Sequence, residues 1–166
     1  MRRILALIAV IICFCGCIKE GNQVKELKIG DRIPDFEVTL SDGTKIKSKD
    51  LIGSPSCIMF FHTSCPDCRQ TLPVMQEIYD LYNGRGIKFV LISREQSQED
   101  IDAYWTEHNL TMPFSPQTTR KVYNLFAQTR IPRVYISDKD GIIRSIYTDD
   151  PIPVFTEIDN SIQAVL

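Results

Sequence analysis

The sequence predicts an α/β fold, a mixed β-sheet flanked by helices with an N-terminal β-hairpin, and three observations carry the prediction. Two short apolar runs, Cys57–His62 and Ile87–Ser93, have the length and composition of buried strands. Between them, Leu72, Met75, Ile78, Tyr79 and Tyr82 recur at helical spacing. The full order is hairpin, strand, helix, strand, two helices, two strands and a closing helix. That order gives a mixed sheet with helices on both faces.

The elements follow along the chain. Met1-Arg2-Arg3 is a short basic start, and Ile4 to Phe14 is an unbroken apolar run. That run is about half of what a bilayer-spanning helix needs, and with its basic start it reads as an export signal. Cys15-Gly16-Cys17 then resembles a bacterial lipoprotein cleavage site, with small Gly16 just before the cysteine that would be lipidated. Residues 1–17 are thus expected to be a signal peptide ending at lipidated Cys17. An uncleaved anchor and simple secretion are the alternatives. Cleavage before Cys17 would remove Arg2 and Arg3 and leave the chain more acidic. Residues 18–28 are polar without an apolar period and read as a flexible tether. Residues 29–166 form the domain, a size suited to one unit.

Phe36, Val38 and Leu40 alternate with polar residues as in a half-buried strand. Ser41-Asp42-Gly43-Thr44 is turn chemistry, and Lys45-Ile46-Lys47 returns as the partner strand. A helix is expected from Pro66 to Tyr82, with Pro73 inside it as a bend and Asn83-Gly84-Arg85-Gly86 as its stop. Gln98–His108 is expected as a helix turning Ile101, Tyr104 and Trp105 inward. Thr118–Phe126 is expected as another, turning Val122, Leu125 and Phe126 inward. Strands at Arg133–Ser137 and Ile142–Tyr147 are joined by the tight turn Asp138-Lys139-Asp140-Gly141. A short helix, Val154–Ala164, closes the domain.

Composition excludes several functions. Hydrophobic residues at 43% and charged residues at 24% mark an ordinary globular chain. With a formal net charge of -2 and no basic patch, nothing points to nucleic acid. Three of the six cysteines lie in the first 17 residues, which leaves too few for a disulfide-stapled scaffold.

The chemistry concentrates at Cys65-Pro66-Asp67-Cys68, where an apolar strand ends and a helix begins. Backbone N–H groups in a first helical turn are unpaired and carry partial positive charge. A thiolate is stabilised there. Pro66 suits the first helical position because it has no N–H to leave unpaired. Two intervening residues let one sulfur reach the other, so the pair can close and reopen a disulfide. Thiol–disulfide exchange is the expected chemistry. A zinc site needs about four ligands; after Cys68 there is one His, His108, and no further Cys. Cys57, inside a core strand, reads as a buried inert thiol.

Three separated stretches then resemble the thioredoxin superfamily, and more narrowly its TlpA/ResA-like thiol-disulfide oxidoreductases. Gly30-Asp31-Arg32-Ile33-Pro34-Asp35-Phe36 with Ser41-Asp42-Gly43 resembles that family's N-terminal hairpin. The stretch from Phe60 to Arg69, with Pro73, resembles its active-site strand and kinked helix. Thr129-Arg130-Ile131-Pro132-Arg133-Val134 resembles the loop holding its cis-proline.

The resemblance implies a thioredoxin-like fold in which Cys65 attacks a substrate disulfide and Cys68 resolves the product. It implies that Pro132 is cis beside the sulfurs, and that the Ile131 backbone pairs with an extended substrate. It implies no cofactor beyond the redox-active Cys65–Cys68 disulfide. The sequence departs from the pattern at three places: Ser64 stands where the family has Trp, Thr71 where an acid is common, and Met59 where thioredoxin has a buried Asp. The group that takes the Cys68 proton is therefore open among Asp67, His62 and water. His62 could also tune the thiolate.

The expected role is a cell-envelope, lipid-anchored thiol-disulfide oxidoreductase acting as a reductase, its domain facing the periplasm. Its partners would be exported proteins with disulfides, an upstream membrane electron donor, and the membrane through the Cys17 lipid. A thiol peroxidase on the same fold and a metal-binding or redox-sensing module built on the CxxC are the alternatives.

Overall fold

The computed structural model describes residues 26–166. The signal segment, Cys17 and most of the tether lie outside the described residues. The hairpin forms as expected, β1 (Glu37–Thr39) pairing antiparallel with β2 (Lys45–Lys47). A 3-10 turn at Ser48–Leu51 follows. The main sheet has five strands: β3 (Ser56–Phe61), β4 (Lys88–Ser93), β5 (Phe114–Ser115), β6 (Arg133–Ser137) and β7 (Ile143–Tyr147). Their order is β5-β4-β3-β6-β7, with β3 at the centre. β3 pairs parallel with β4 and antiparallel with β6, so the sheet is mixed.

Three α-helices complete the domain: α1 (Pro66–Tyr82), α2 (Gln98–Glu107) and α3 (Phe155–Gln163). α1 runs from Pro66 to Tyr82 as the periodicity predicts, and it continues through Pro73. Ser97 caps α2, its hydroxyl oxygen accepting the Asp100 N–H at 3.3 Å.

All three α-helices pack on one face of the sheet. Phe61 meets Trp105 of α2, with ring centroids 5.1 Å apart. Phe89, opposite Cys57 in the parallel register, meets Tyr79 of α1 at 5.3 Å. Tyr147 donates its hydroxyl to the Glu157 carbonyl of α3 at 2.7 Å. Successive strand residues point to opposite faces, so Phe60 turns the other way. It meets Tyr123 at 5.4 Å and Phe126 at 4.8 Å.

That second face carries no α-helix, contrary to the expectation for Thr118–Phe126. Only Tyr123–Leu125 is helical, as a 3-10 turn. Thr118, Thr119, Val122 and Tyr123 are poor helix formers. A 3-10 turn stacks residues three apart, which sends both Tyr123 and Phe126 into the core. Val122 and Phe126 are buried as expected, whereas Leu125 is 41% exposed. The hairpin covers the rest of this face, Phe36 meeting Phe126 at 5.7 Å.

The chain docks on the domain from Glu26 onward, within the stretch read as a tether. The Leu27 N–H donates to the Phe126 carbonyl at 2.9 Å. Glu26 pairs with Arg133, which is only 6% exposed. Strand β5 was not expected. Two residues between Pro113 and Pro116 are too few to show an alternating pattern.

Candidate active site

β3 carries the chain through the core and delivers it to the site. All six of its residues are buried. Its polar continuation, His62-Thr63-Ser64, is fastened by side chains rather than by the sheet. The Thr63 N–H donates to Gln96 Oε1 at 3.0 Å, and the Gln96 amide N–H donates to the Thr63 hydroxyl. The Ser64 N–H donates to His62 Nδ1 at 3.1 Å, and the Ser64 hydroxyl lies 2.9 Å from the same nitrogen. Burial, and then the positive charge of Arg94, lower the His62 pKa. The imidazole is therefore neutral at pH 7 and turned toward Ser64.

Cys65 is the N-cap of α1, with extended backbone at φ -79 and ψ 121, and Pro66 is the first helical residue. The Cys65 side chain is partly exposed. Its thiol donates to the Ile131 carbonyl at 3.5 Å. That carbonyl precedes Pro132, and the Ile131–Pro132 peptide is cis. Both residues are buried. Asp150–Pro151 is a second cis bond, without a sequence signal.

Cys68 lies one turn on and is buried. Burial pushes its pKa up, the His62 backbone N–H opposes that rise, and the negative charge of Cys65 adds to it. Asp67 is half-buried at the second helical position, and its carbonyl accepts the Thr71 hydroxyl at 2.9 Å. Thr71 and Met59, the positions where the resemblance would put acids, are both fully buried. No carboxylate therefore faces Cys68 from those two positions. Cys57 is buried in β3 with its pKa pushed up by burial, which keeps it a protonated thiol.

The structure thus brings together Cys65, Pro66, Asp67, Cys68, His62, Ile131 and Pro132. Cys17 is outside the described residues. Sequence reasoning missed the groups that hold the proline loop. The Tyr123 hydroxyl lies 2.6 Å from the carbonyls of both Thr129 and Arg130. Arg133 Nε donates to the Thr129 carbonyl at 3.1 Å. Arg130, at φ 68, reaches Asp149 at 3.4 Å. It also missed Arg94. The one available signal was that the two parallel strands end side by side, so the residue after β4 must lie near the residue after β3.

This arrangement is a partly exposed thiol and a buried thiol at a helix N-terminus, opposed by the carbonyl before a cis-proline. The sequence profile of the AhpC/TSA family matches residues 29–146. The chain is 25% identical over 146 residues to the thiol-disulfide oxidoreductase ResA of Bacillus cereus, spanning 84% of each chain. It is 26% identical over 142 residues to ResA of Oceanobacillus iheyensis, spanning 83% of this chain and 73% of that one. Among solved structures, it resembles a thiol:disulfide interchange protein of the thioredoxin family from Chlorobium tepidum. The TM-score is 0.71 at 21% identity, covering 85% of this chain and 99% of the other. It also resembles a secreted disulfide oxidoreductase of Mycobacterium tuberculosis, with TM-score 0.69 at 16% identity, covering 78% and 95%. These two likenesses show the thioredoxin-like fold.

Proposed function

The chain belongs to the AhpC/TSA family and is a thiol-disulfide oxidoreductase of ResA type, and from its site we propose that it reduces disulfides of exported proteins at the cell envelope. One observation carries the chemistry: Cys65 stands at the N-terminus of α1, 3.5 Å from the carbonyl before the cis-proline, with Cys68 buried behind it.

Cys65 is the group an incoming disulfide can reach. As a thiolate it attacks one client sulfur, a mixed disulfide forms, and the second client sulfur leaves. Cys65 then has no proton to donate, so the Ile131 carbonyl is released to accept an N–H from the client backbone. Cys68 loses its proton and attacks the Cys65 sulfur. The client departs reduced, and the Cys65–Cys68 disulfide remains. Met59 and Thr71 carry no group that can take the Cys68 proton, and the Nδ1 of the His62 imidazole is engaged by Ser64. Water is the acceptor.

The way the thiols are held supports the reductase direction. A strong oxidant is one whose reduced form is stabilised. Here Cys68 is buried in a way that disfavours charge. Asp67 adds a negative charge to the first turn of α1. Neither supports the stabilised thiolate of an oxidant. In this reading, export and lipidation at Cys17 would put the domain in the periplasm, where an upstream membrane donor would restore the dithiol.

The test is fractionation with acid-quenched alkylation in living cells. The expected result is a membrane-associated protein whose Cys65 and Cys68 are reduced at steady state. A protein found fully oxidised, or in the cytosol, would overturn the reading. Rapid consumption of peroxide by the purified protein would favour the peroxidase alternative.

A further inference from the structure

β3 and β4 are parallel and in register, with Phe61 opposite Ser93. The Arg94 N–H extends the ladder onto the Phe61 carbonyl at 2.8 Å. His62 and Arg94 therefore leave the sheet side by side, at the end where the cysteine pair sits. The Arg94 guanidinium lies over the Tyr123 ring, 5.3 Å from its centroid. Arg120 lies over the same ring at 5.1 Å.

The two arginines differ in one respect. Arg120 pairs with Glu95 at 3.6 Å and donates to the Gln128 carbonyl at 2.5 Å, so its charge is answered. Arg94 has no carboxylate partner among the described residues. Its Nε is buried without a hydrogen-bond partner. A sealed, unpaired donor on a cation is costly. The neighbour that becomes negative during the exchange is Cys68, in the first turn of the helix that starts just beyond β3, the strand paired with the one that Arg94 extends.

We propose that Arg94 is a positioning residue for the second half of the exchange, held by Tyr123 so that its positive charge supports the Cys68 thiolate as it attacks the mixed disulfide. This rests on the dithiol chemistry of the proposed function but not on its direction. In that half-reaction Cys68 gives its proton to water and its sulfur bonds to the Cys65 sulfur. The Cys65–client bond breaks, and the client sulfur leaves as a thiolate. The dithiol has then given up two electrons and the client has gained them. Negative charge must appear on a buried sulfur. The groups that bear on the Cys68 charge are the His62 backbone at the end of β3, Cys65 on its own helix and, least strongly, Arg94 at the end of β4. Those acting on neighbouring His62 are Arg94, Asp100 and Glu95. Arg94 is the cation among them.

The experiment is stopped-flow reaction of the reduced protein with dithiobis-nitrobenzoate, which separates the two halves. Release of the first coloured thiolate is second-order and reports attack by Cys65. Release of the second is unimolecular and reports attack by Cys68. Arg94→Met is expected to slow the second release about 10-fold at pH 7 and to move its pH midpoint up by about one unit, leaving the first release within about 2-fold. Arg94→Lys is expected to restore most of the second rate. A second release unchanged in Arg94→Met would overturn the proposal, and so would equal slowing of both releases. If Arg94→Met loses its cooperative unfolding transition, Arg94→Gln carries the same comparison. The probe is a small disulfide, so an oxidising potential would overturn the reductase reading and leave this result standing.

Discussion

On the helical face of the sheet, Cys57, Met59 and Phe61 meet α1, α2 and α3 through apolar packing. On the other face, Ile58 and Phe60 meet a cluster of rings, Phe36, Tyr123, Phe126 and Tyr135, edged by Arg94 and Arg133. The helical face fixes where the sulfurs sit, because α1 starts from β3 and packs back onto it. The ring face fixes what the sulfurs look at. Tyr123 and Arg133 hold the Thr129–Pro132 turn, and in the proposal above Arg94 brings a charge to Cys68. A thiol pair on a helix is half of the site. The other half is built by an irregular segment on the opposite side of the sheet.

The largest expected effect separates these two halves. Phe126→Ala and Ile78→Ala each remove a fully buried side chain and should each cost about 2–5 kcal/mol in urea unfolding. Phe126 packs on Phe36, Phe60 and Tyr135 in the ring cluster that holds Tyr123 and, through its hydroxyl, the proline loop, so its loss should also slow attack on a small disulfide. Ile78 lies in α1, nearly three turns beyond Cys68, and its loss should leave that rate unchanged in the folded protein. Equal slowing in both variants would mean that the faces do not divide the work.

A smaller effect comes from pH. The helical side holds two buried thiols, Cys57 and Cys68, whose pKa values are raised in the folded protein. The folded state therefore keeps protons that the unfolded state loses above about pH 8.5. Their contribution is fully present below that pH and falls as pH rises, by about 1.4 kcal/mol per unit for each thiol. Forming the Cys65–Cys68 disulfide removes Cys68 from the count. Between pH 8.5 and 10, reduced protein should thus lose stability more steeply than oxidised protein. Equal slopes in thermal melts of the two forms would show that Cys68 is not buried as a thiol.

How much was legible in the sequence differs between the same two faces. β3, β4 and α1 could be read because apolar runs and helical spacing are strong local signals, and Pro66 and the Gly84–Gly86 stretch mark the helix ends. The cysteines and Pro132 were legible as motifs. Thr118–Phe126 was misread because Val122, Leu125 and Phe126 satisfy a helical period, and only the packing against Phe60 turns Tyr123 inward in place of Leu125. β5 was too short to leave a period. Arg94 was invisible because its importance depends on the parallel register of β3 with β4 and on an aromatic ring 29 positions further along the chain.

In the proposed function this pair, Cys65 partly exposed and Cys68 buried, is poised to reduce. Equilibration of the purified protein against glutathione or dithiothreitol buffers gives the Cys65–Cys68 potential directly. A value near or below about -250 mV, close to that of thioredoxin, is the predicted result. A value near about -120 mV, that of a strong oxidant, would contradict it and make the protein a donor of disulfides.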